Sequence, residues 1–277
     1  MPAPDAISCE KLVKLIGTSK APVILDVRRH ALRQSDPRAI PAARLLEEAA
    51  LHPAGAAALA PGLAGQSIVV VCAAGHGRSQ GLAAVLRAEG LSAEYLEGGQ
   101  EAWIAAGLPT MDTTKLGGRD HQGRSLWITR SRPKIDRIAC PWLIRRFIDP
   151  RAVFLFVAPA EVQSVAEAMG AAAFDIEDVF WSHRGELCTF DTLIAEFGLR
   201  LPALDRLATI VRGADTDRPE LAPECAGLLA VSLGLSRMFT DDQAQLEAGL
   251  SLYDAFYRWA RDATDETHGW PKNGKTK

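Results

Sequence analysis

The chain has 277 residues, of which 48% are hydrophobic, and its 31 Lys and Arg nearly balance its 34 Asp and Glu, giving a net charge of -3 at pH 7. A chain of this length is expected to form two packed domains. The balanced charge argues against nucleic-acid and anionic-membrane partners, and neither a secretory leader nor a membrane-spanning apolar stretch is evident. We therefore predict a cytoplasmic protein, whose oligomeric state the sequence leaves open.

Short apolar runs alternate with helical patterns along the first hundred residues. PVILDV (22–27) and QSIVVVC (66–72) are rich in β-branched residues, which is typical of buried parallel strands. GLAAVLRAEG (81–90) and EAWIAAG (101–107) have helical patterns that end at glycine. The alternation of strand and helix predicts an α/β domain with a doubly wound parallel sheet over residues 1–110.

A polar, glycine-rich segment follows and is predicted to be a linker at 111–125. Residues 126–263 are predicted to form a second, mainly helical α+β domain, and the polar tail 264–277 is predicted to be disordered. Its expected elements are a strand LWITR, a helix at 136–148, a strand AVFLFV, and four further helices at 190–198, 202–213, 223–238 and 241–262.

The five cysteines form an odd, scattered set without zinc-type spacing, which predicts free thiols. Cys72 is distinctive because it lies where a strand passes through a glycine-containing loop into a helix. Backbone amides at such a turn converge on one point, and together with the helix N-terminus they stabilise a thiolate. We predict Cys72 as a nucleophile and Arg78 as a second catalytic group that binds the oxygen atoms of an anion.

The predicted oxyanion-binding residues are those of the loop itself: Ala73, Ala74, Gly75, His76, Gly77, Arg78 and Ser79. The alternative is that Cys72 is a small buried residue at a strand end, the usual position of a lone cysteine. The two glycines and the arginine favour the reactive thiolate.

LDVRR (25–29), the cysteine loop, and YLEGGQEAWIAAGLP (95–109) together resemble the rhodanese family over essentially all of the first domain. In that family the cysteine carries a persulfide between a sulfur donor and an acceptor. The resemblance implies that Cys72 is the sulfur carrier, that a thiol is the acceptor, and that Asp26 and Arg28 form a structural pair at a strand end.

The spacing C-x5-R between Cys72 and Arg78 departs from the rhodanese pattern, whose loops are typically one residue shorter. It is similar to cysteine-dependent phosphatases and to arsenate reductases on the same fold. A wider loop suits a larger oxyanion than a single transferred sulfur atom. Val71 stands where those phosphatases usually have histidine, and no aspartic general acid is identifiable, which argues against a phosphatase.

The second domain contains two groups of residues suited to chemistry. Asp136, Arg137, Cys140, Arg145 and Asp215 are candidates for a common pocket. Glu177, His183 and Cys188 are candidate ligands of a divalent transition metal, the one cofactor considered. The alternative is that these are ordinary surface residues, since no fixed metal-binding spacing is present.

Four long segments of the second domain resemble the C-terminal domain of the chromate-resistance ChrB family: 133–156, 173–194, 210–230 and 252–261. Regulators of that family carry a separate N-terminal domain thought to bind DNA, whereas a rhodanese-like domain stands here, so the regulator role does not carry over. Chromate is a tetrahedral dianion that oxidises thiolates. The two resemblances imply sulfur transfer or thiol-based oxyanion chemistry at Cys72; the alternatives are a phosphatase or arsenate-reductase-like enzyme and a non-enzymatic anion or metal sensor with a regulatory rhodanese domain.

Overall fold

The computed structural model describes residues 5–266, and its N-terminal part is built around a five-stranded sheet. The sheet is entirely parallel, in the order β1-β6-β5-β2-β4. Its strands are β1 (Ala6–Ile7), β2 (Val23–Asp26), β4 (Arg44–Leu45), β5 (Ser67–Val71) and β6 (Ser92–Leu96). The predicted α/β class is confirmed, and both predicted strands are present as the central pair β2 and β5.

Helices cover this sheet, as a parallel sheet requires. They are α1 (Cys9–Leu15), α2 (His30–Ser35), α3 (Pro53–Leu59), α4 (Gly77–Ala88) and α5 (Gly99–Ala105). The register pairs Ile24 with Val69 and Asp26 with Val71. Residues 68–71 of β5 are all buried, which explains why both strands are continuous apolar runs rather than alternating ones.

The C-terminal part combines a small parallel sheet with a helical layer. Strands β8 (Leu126–Arg130), β9 (Val153–Val157) and β10 (Ala172–Ala173) form a sheet in the order β10-β8-β9. The helices are α6 (Asp136–Leu143), continued by a π-helical turn at Ile144–Ile148, α7 (Val162–Met169), α8 (Thr189–Glu196), α9 (Pro202–Asp215), α10 (Cys225–Met238) and α11 (Asp242–Asp262). All the predicted helices are present.

The sequence pattern misses α7 and β10 in the C-terminal part, and in the N-terminal part it does not predict the shorter elements α1, α2, α3, β1, β4 and β6. Helix α7 has eight residues, of which only Val162 is fully buried, so it offers too short an apolar stripe for its period to be recognised. Helix starts are better marked: Pro202 is at the first position of α9, and the Asp241 side chain accepts a hydrogen bond from the amide of Ala244 at the start of α11.

The predicted linker contains regular structure. Strand β7 (Met111–Asp112) pairs antiparallel with β3 (Arg38–Ala39), and the amide of Asp112 donates to the carbonyl of Phe197 in the second part of the chain. The division of the chain at 111–125 stays a prediction. Most of the predicted disordered tail, residues 267–277, lies outside the described residues.

The larger hydrophobic core includes residues from both parts of the chain. The ring of Phe147 lies against Gly17, and the amide of Ala42 donates to the Phe147 carbonyl at 2.7 Å. A smaller core lies on the other face of the N-terminal sheet and includes Cys72. Within residues 5–266, no helix has the length and apolar character needed to cross a membrane.

Candidate functional sites

Cys72 follows β5 directly and lies at the carboxyl end of the parallel sheet, facing the start of α4. Its side chain is buried, with 6% of the residue exposed. The sulfur lies 3.1 Å from the hydroxyl of Ser79 and 3.8 Å from the carbonyl of His76. The strand, turn and helix thus place the thiol beside the amide-rich start of a helix, where an anion is favoured.

The surroundings of Cys72 favour its thiolate. Burial is the largest single influence and opposes ionisation, but hydrogen bonds from the Ser79 side chain and from the backbone of Ser79, His76 and Gly75 outweigh it. The pKa of Cys72 is therefore lowered from its ordinary value. A lowered pKa increases the thiolate fraction at neutral pH, which is what a nucleophilic cysteine requires.

The cysteine loop packs against the start of α5 through three glycines in the left-handed region, Gly75, Gly98 and Gly99. A side chain at Gly75 (φ 71°) would meet the amide nitrogens of Gly98 and Gly99 at 2.6 and 2.8 Å. The amides of Gln100 and Glu101 donate to the carbonyls of Cys72 and Ala73, each at 2.9 Å. This arrangement fixes the loop carbonyls and leaves the loop amides on the side of the sulfur.

The guanidinium of Arg78 is bound by Glu48 in this structure. Its two terminal nitrogens donate to the Glu48 carboxylate at 2.6 and 2.7 Å, while its Nε donates to the carbonyl of Val27 at 2.9 Å. In this structure the guanidinium of Arg78 therefore binds the Glu48 carboxylate and does not face an open anion-binding site. Its role in anion binding stays a prediction, and that role requires Glu48 to release it.

Asp26 and Arg28 form a buried ion pair beside the loop. The Arg28 Nε lies 2.9 Å from one Asp26 oxygen, and the Arg28 amide also donates to the Asp26 carboxylate at 2.9 Å. Asp26 pairs with Val71 in the sheet register, so this pair lies next to the strand end that precedes Cys72. From this position the Asp26–Arg28 pair can stabilise the carboxyl ends of β2 and β5.

A second group of chemically competent side chains lies in the C-terminal part. The Nε2 atom of His183 lies 3.2 Å from Asp175, 3.3 Å from Asp215 and 3.7 Å from Asp136. One donor atom from each of the four residues can be chosen so that all lie within 4.8 Å of one another. We refer to Asp136, Asp175, His183 and Asp215 as the Asp-His cluster.

Asp136 is the fully buried member of the Asp-His cluster. Its carboxylate accepts hydrogen bonds from the amides of Thr189 and Phe190, at 2.7 and 3.1 Å, where α8 begins. Burial, and then the charges of Asp215 and Asp175, raise the pKa of Asp136 well above its ordinary value. The first amides of α8 thus orient the Asp136 carboxylate, while the neighbouring Asp175 and Asp215 carboxylates disfavour its negative charge.

His183 and Arg137 supply the positive charge around these acids. Hydrogen bonds to Asp175 and then Asp215 raise the pKa of His183 to about 10, against the opposing effect of burial. Arg137 lies 3.3 Å from the second oxygen of Asp175. With this pKa, the imidazole is protonated among these carboxylates at neutral pH.

Among the predicted pocket residues, Asp136, Arg137 and Asp215 come together, and Cys140 donates to Asp136 at 3.4 Å. Arg145 lies elsewhere, with its guanidinium over the ring of Phe154 and paired with Glu247.

The predicted metal ligands do not converge as a set. His183 joins the cluster, but Glu177 is exposed and outside it. Cys188 is buried as the N-cap of α8, where its amide donates to Asp191 at 3.0 Å and burial raises its pKa well above the ordinary value. Asp175, one of the carboxylates that accompany His183 in the sequence, takes the place expected for another ligand and lies two residues after the short strand β10.

Residues 127–260 match the family model described as ChrB, C-terminal domain. Protein ChrB of Cupriavidus metallidurans is 34% identical over 163 residues, which cover 58% of this chain and 47% of that protein. The match therefore spans about half the length of this curated relative.

Among solved structures, a thiosulfate sulfurtransferase from Pseudomonas aeruginosa is 26% identical over 41% of this chain and 20% of its own, with a TM-score of 0.32. A rhodanese-related protein from Thermoplasma volcanium is 24% identical over 38% of this chain and 95% of its own, with a TM-score of 0.31. Residues 127–260 are thus similar to the ChrB C-terminal domain family, and they follow an α/β domain built on a five-stranded parallel sheet.

Proposed function

We propose that this is a chromate-resistance-related protein in which the Cys72 thiolate performs sulfur transfer or thiol chemistry on a tetrahedral oxyanion. The observation that carries the proposal is the position of the Cys72 sulfur, 3.1 Å from the Ser79 hydroxyl at the start of α4, with its pKa lowered by that hydroxyl and by loop amides despite burial. The ChrB C-terminal domain supports the link to chromate resistance.

In sulfur transfer, the Cys72 thiolate attacks the outer sulfur of a donor such as thiosulfate. A new S–S bond forms on Cys72, the donor's S–S bond breaks, and sulfite leaves with the electron pair of that bond. The persulfide then passes its outer sulfur to a thiolate or to cyanide, which regenerates the Cys72 thiolate. The loop amides bind the negative charge that accumulates on the donor and on the persulfide.

The wider C-x5-R loop favours a larger oxyanion as the physiological substrate. Ser79 directly follows Arg78, and its hydroxyl stabilises the Cys72 thiolate, which must remain charged until it attacks. This contact supports thiol chemistry on an oxyanion. Substrate binding by Arg78 requires the guanidinium to leave Glu48, whose side chain is 72% exposed and therefore free to move.

The first experiment compares four substrates on the purified full-length chain: thiosulfate with cyanide, arsenate, chromate with a thiol reductant, and an aryl phosphate. We expect turnover of at least one, abolished by Cys72→Ser. Cys9→Ser is the matched control, because Cys9 is a free, partly buried thiol whose pKa burial raises. A wild-type chain inactive with all four substrates would refute an enzymatic function and leave anion or metal sensing.

A second experiment tests the role of Arg78. Glu48→Gln removes the carboxylate that binds Arg78, so we expect phosphate or arsenate to protect Cys72 from alkylation at lower concentrations than in the wild type. Glu47→Gln is the control, because Glu47 is also exposed but pairs with Arg33. Equal protection in all three proteins would show that Arg78 does not bind the anion.

Mass spectrometry of Cys72 in the protein as isolated separates the chemistries further. A persulfide supports sulfur transfer, whereas a sulfenate or a mixed disulfide supports oxyanion reduction.

A further inference from the structure

We propose that Asp136, Asp175, His183 and Asp215 form a binding site for a divalent metal ion of the manganese type. The site is separate from the Cys72 chemistry and lies within the ChrB C-terminal domain. Four observations carry the inference: the spacing of the donor atoms, the groups that hold them, the charge of the converging carboxylates, and a pocket open to solvent that reaches the cluster.

The spacing of the donor atoms fits one ion. Bonds of about 2.0 to 2.2 Å between a metal and its oxygen or nitrogen ligands place two ligands of the same ion at most about 4.4 Å apart. The four donor atoms lie within 4.8 Å of one another, and three of the separations are between 3.2 and 3.7 Å. Side-chain movements of a few tenths of an ångström would bring all four to an ion.

The ligands come from three separate segments and are held by contacts outside the cluster. Asp136 begins α6 and is oriented by the first amides of α8, whereas Asp215 ends α9. Asp175 accepts from the hydroxyl of Thr189 at 3.0 Å and pairs with Arg137 at 3.3 Å. Such outer contacts fix carboxylates in place and leave their remaining lone pairs directed at a common point.

The charge of the cluster is uneven around that point. Three carboxylates converge on this point, and the basic side chains beside them are His183 and, on the outer side, Arg137. Asp136 has no exposed surface, and a buried carboxylate is costly unless a cation balances it. A divalent ion bound between the three carboxylates and the His183 Nε2 atom supplies this balancing charge.

The cluster is open to solvent on one side. A pocket of about 460 Å³ is lined by residues that include Asp175, Ser182 and His183. The His183 side chain is 39% exposed, so an ion can reach the buried Asp136 past it. The same opening leaves room for water or a small anion as a further ligand.

The donor set selects the class of ion. Three carboxylates and one imidazole are ligands that suit Mn²⁺ or Fe²⁺. Structural zinc sites, in contrast, are rich in thiolates. The nearby thiol of Cys140 donates to Asp136 at 3.4 Å and lies outside the group of four donor atoms.

The test uses the full-length chain, stripped of metal by a chelator and titrated with Mn²⁺ under calorimetry, with Zn²⁺ and Mg²⁺ as comparison ions. We expect one equivalent of Mn²⁺ to bind, with a rise in melting temperature that grows with metal concentration. Electron paramagnetic resonance should show coupling of the bound Mn²⁺ to one imidazole nitrogen.

The variants separate the site from nonspecific binding. His183→Ala and Asp215→Asn should lose at least tenfold in Mn²⁺ affinity. Glu177→Gln, which lines the same pocket but lies outside the cluster, should bind as the wild type does. Cys72→Ser should also bind normally, which keeps this proposal independent of the thiol chemistry.

Two results would overturn the site. One is a wild-type chain that binds none of the three ions at millimolar concentration. The other is Mn²⁺ binding that His183→Ala leaves unchanged while that variant keeps the melting temperature of the metal-free wild type.

Discussion

Gly99→Ala tests how the cysteine loop is held in place. Gly99 is the first residue of α5 and has φ 58°, a conformation that costs a residue with a Cβ about 1 to 2 kcal/mol. The added methyl carbon would lie 2.4 Å from the carbonyl oxygen of Cys72 and 2.5 Å from the amide nitrogen of Gly75. Both atoms belong to backbone, so the loop has to move away from α5.

The expected loss of stability follows from these two contributions. Overpacking against backbone costs about 1 to 3 kcal/mol, and adding the conformational cost gives a loss of roughly 2 to 5 kcal/mol in the free energy of unfolding. Displacement of the loop also weakens the two hydrogen bonds of 2.9 Å from Gln100 and Glu101 to the loop carbonyls. The amides around the Cys72 sulfur then lose their alignment, and its pKa should rise.

Two measurements on the same protein check this reasoning: denaturant unfolding, and the rate of Cys72 alkylation at neutral pH. Gly99→Ala should unfold at lower denaturant and react more slowly. Gly81→Ala is the matched control, because Gly81 lies in α4 with open space around its position for a methyl group, and it should gain about 0.5 to 1 kcal/mol. If Gly99→Ala retains wild-type stability within about 0.5 kcal/mol and wild-type alkylation, the loop is not held as described.

Three further predictions concern the thiolate and the core. Ser79→Ala removes a hydrogen bond to a charged group, worth about 1.5 to 3 kcal/mol, so the pKa of Cys72 should rise and alkylation at neutral pH should slow about tenfold or more; Ser79→Thr, which keeps the hydroxyl, should react nearly as the wild type does. Because the folded pKa of Cys72 lies below its unfolded value, the thiolate contributes stability above the unfolded pKa and loses it as the pH falls through the folded pKa. The difference in unfolding free energy between wild type and Cys72→Ser should therefore increase from neutral to alkaline pH, and a constant difference would contradict the lowered pKa. Trp142→Ala empties the centre of a buried aromatic group and should cost about 3 to 5 kcal/mol in denaturant unfolding, whereas Met238→Ala, at a residue 74% exposed, should change stability by less than about 0.5 kcal/mol.

The sequence by itself determined the longer regular elements of the second domain, the central strands β2 and β5 of the first, and the cysteine loop. Strands β2 and β5 are visible because a parallel strand covered on both faces is a continuous apolar run, and the helices from α8 to α11 are visible because their apolar residues repeat over two or more turns. The Cys72 loop is equally local: a strand end, two glycines and a helix start lie within a dozen residues.

Only the tertiary structure decided which side chains meet. Arg78 could be placed in the loop by its spacing from Cys72, but its partner Glu48 lies thirty residues earlier in the chain. Likewise, the sequence predicts a common pocket for Asp136 and Asp215 without assigning Asp175 or His183 to it, and about forty residues separate each of the three acids from the next. They converge on His183 because a helix start, a two-residue strand and a helix end pack together in one core, and no local pattern of residues encodes that packing.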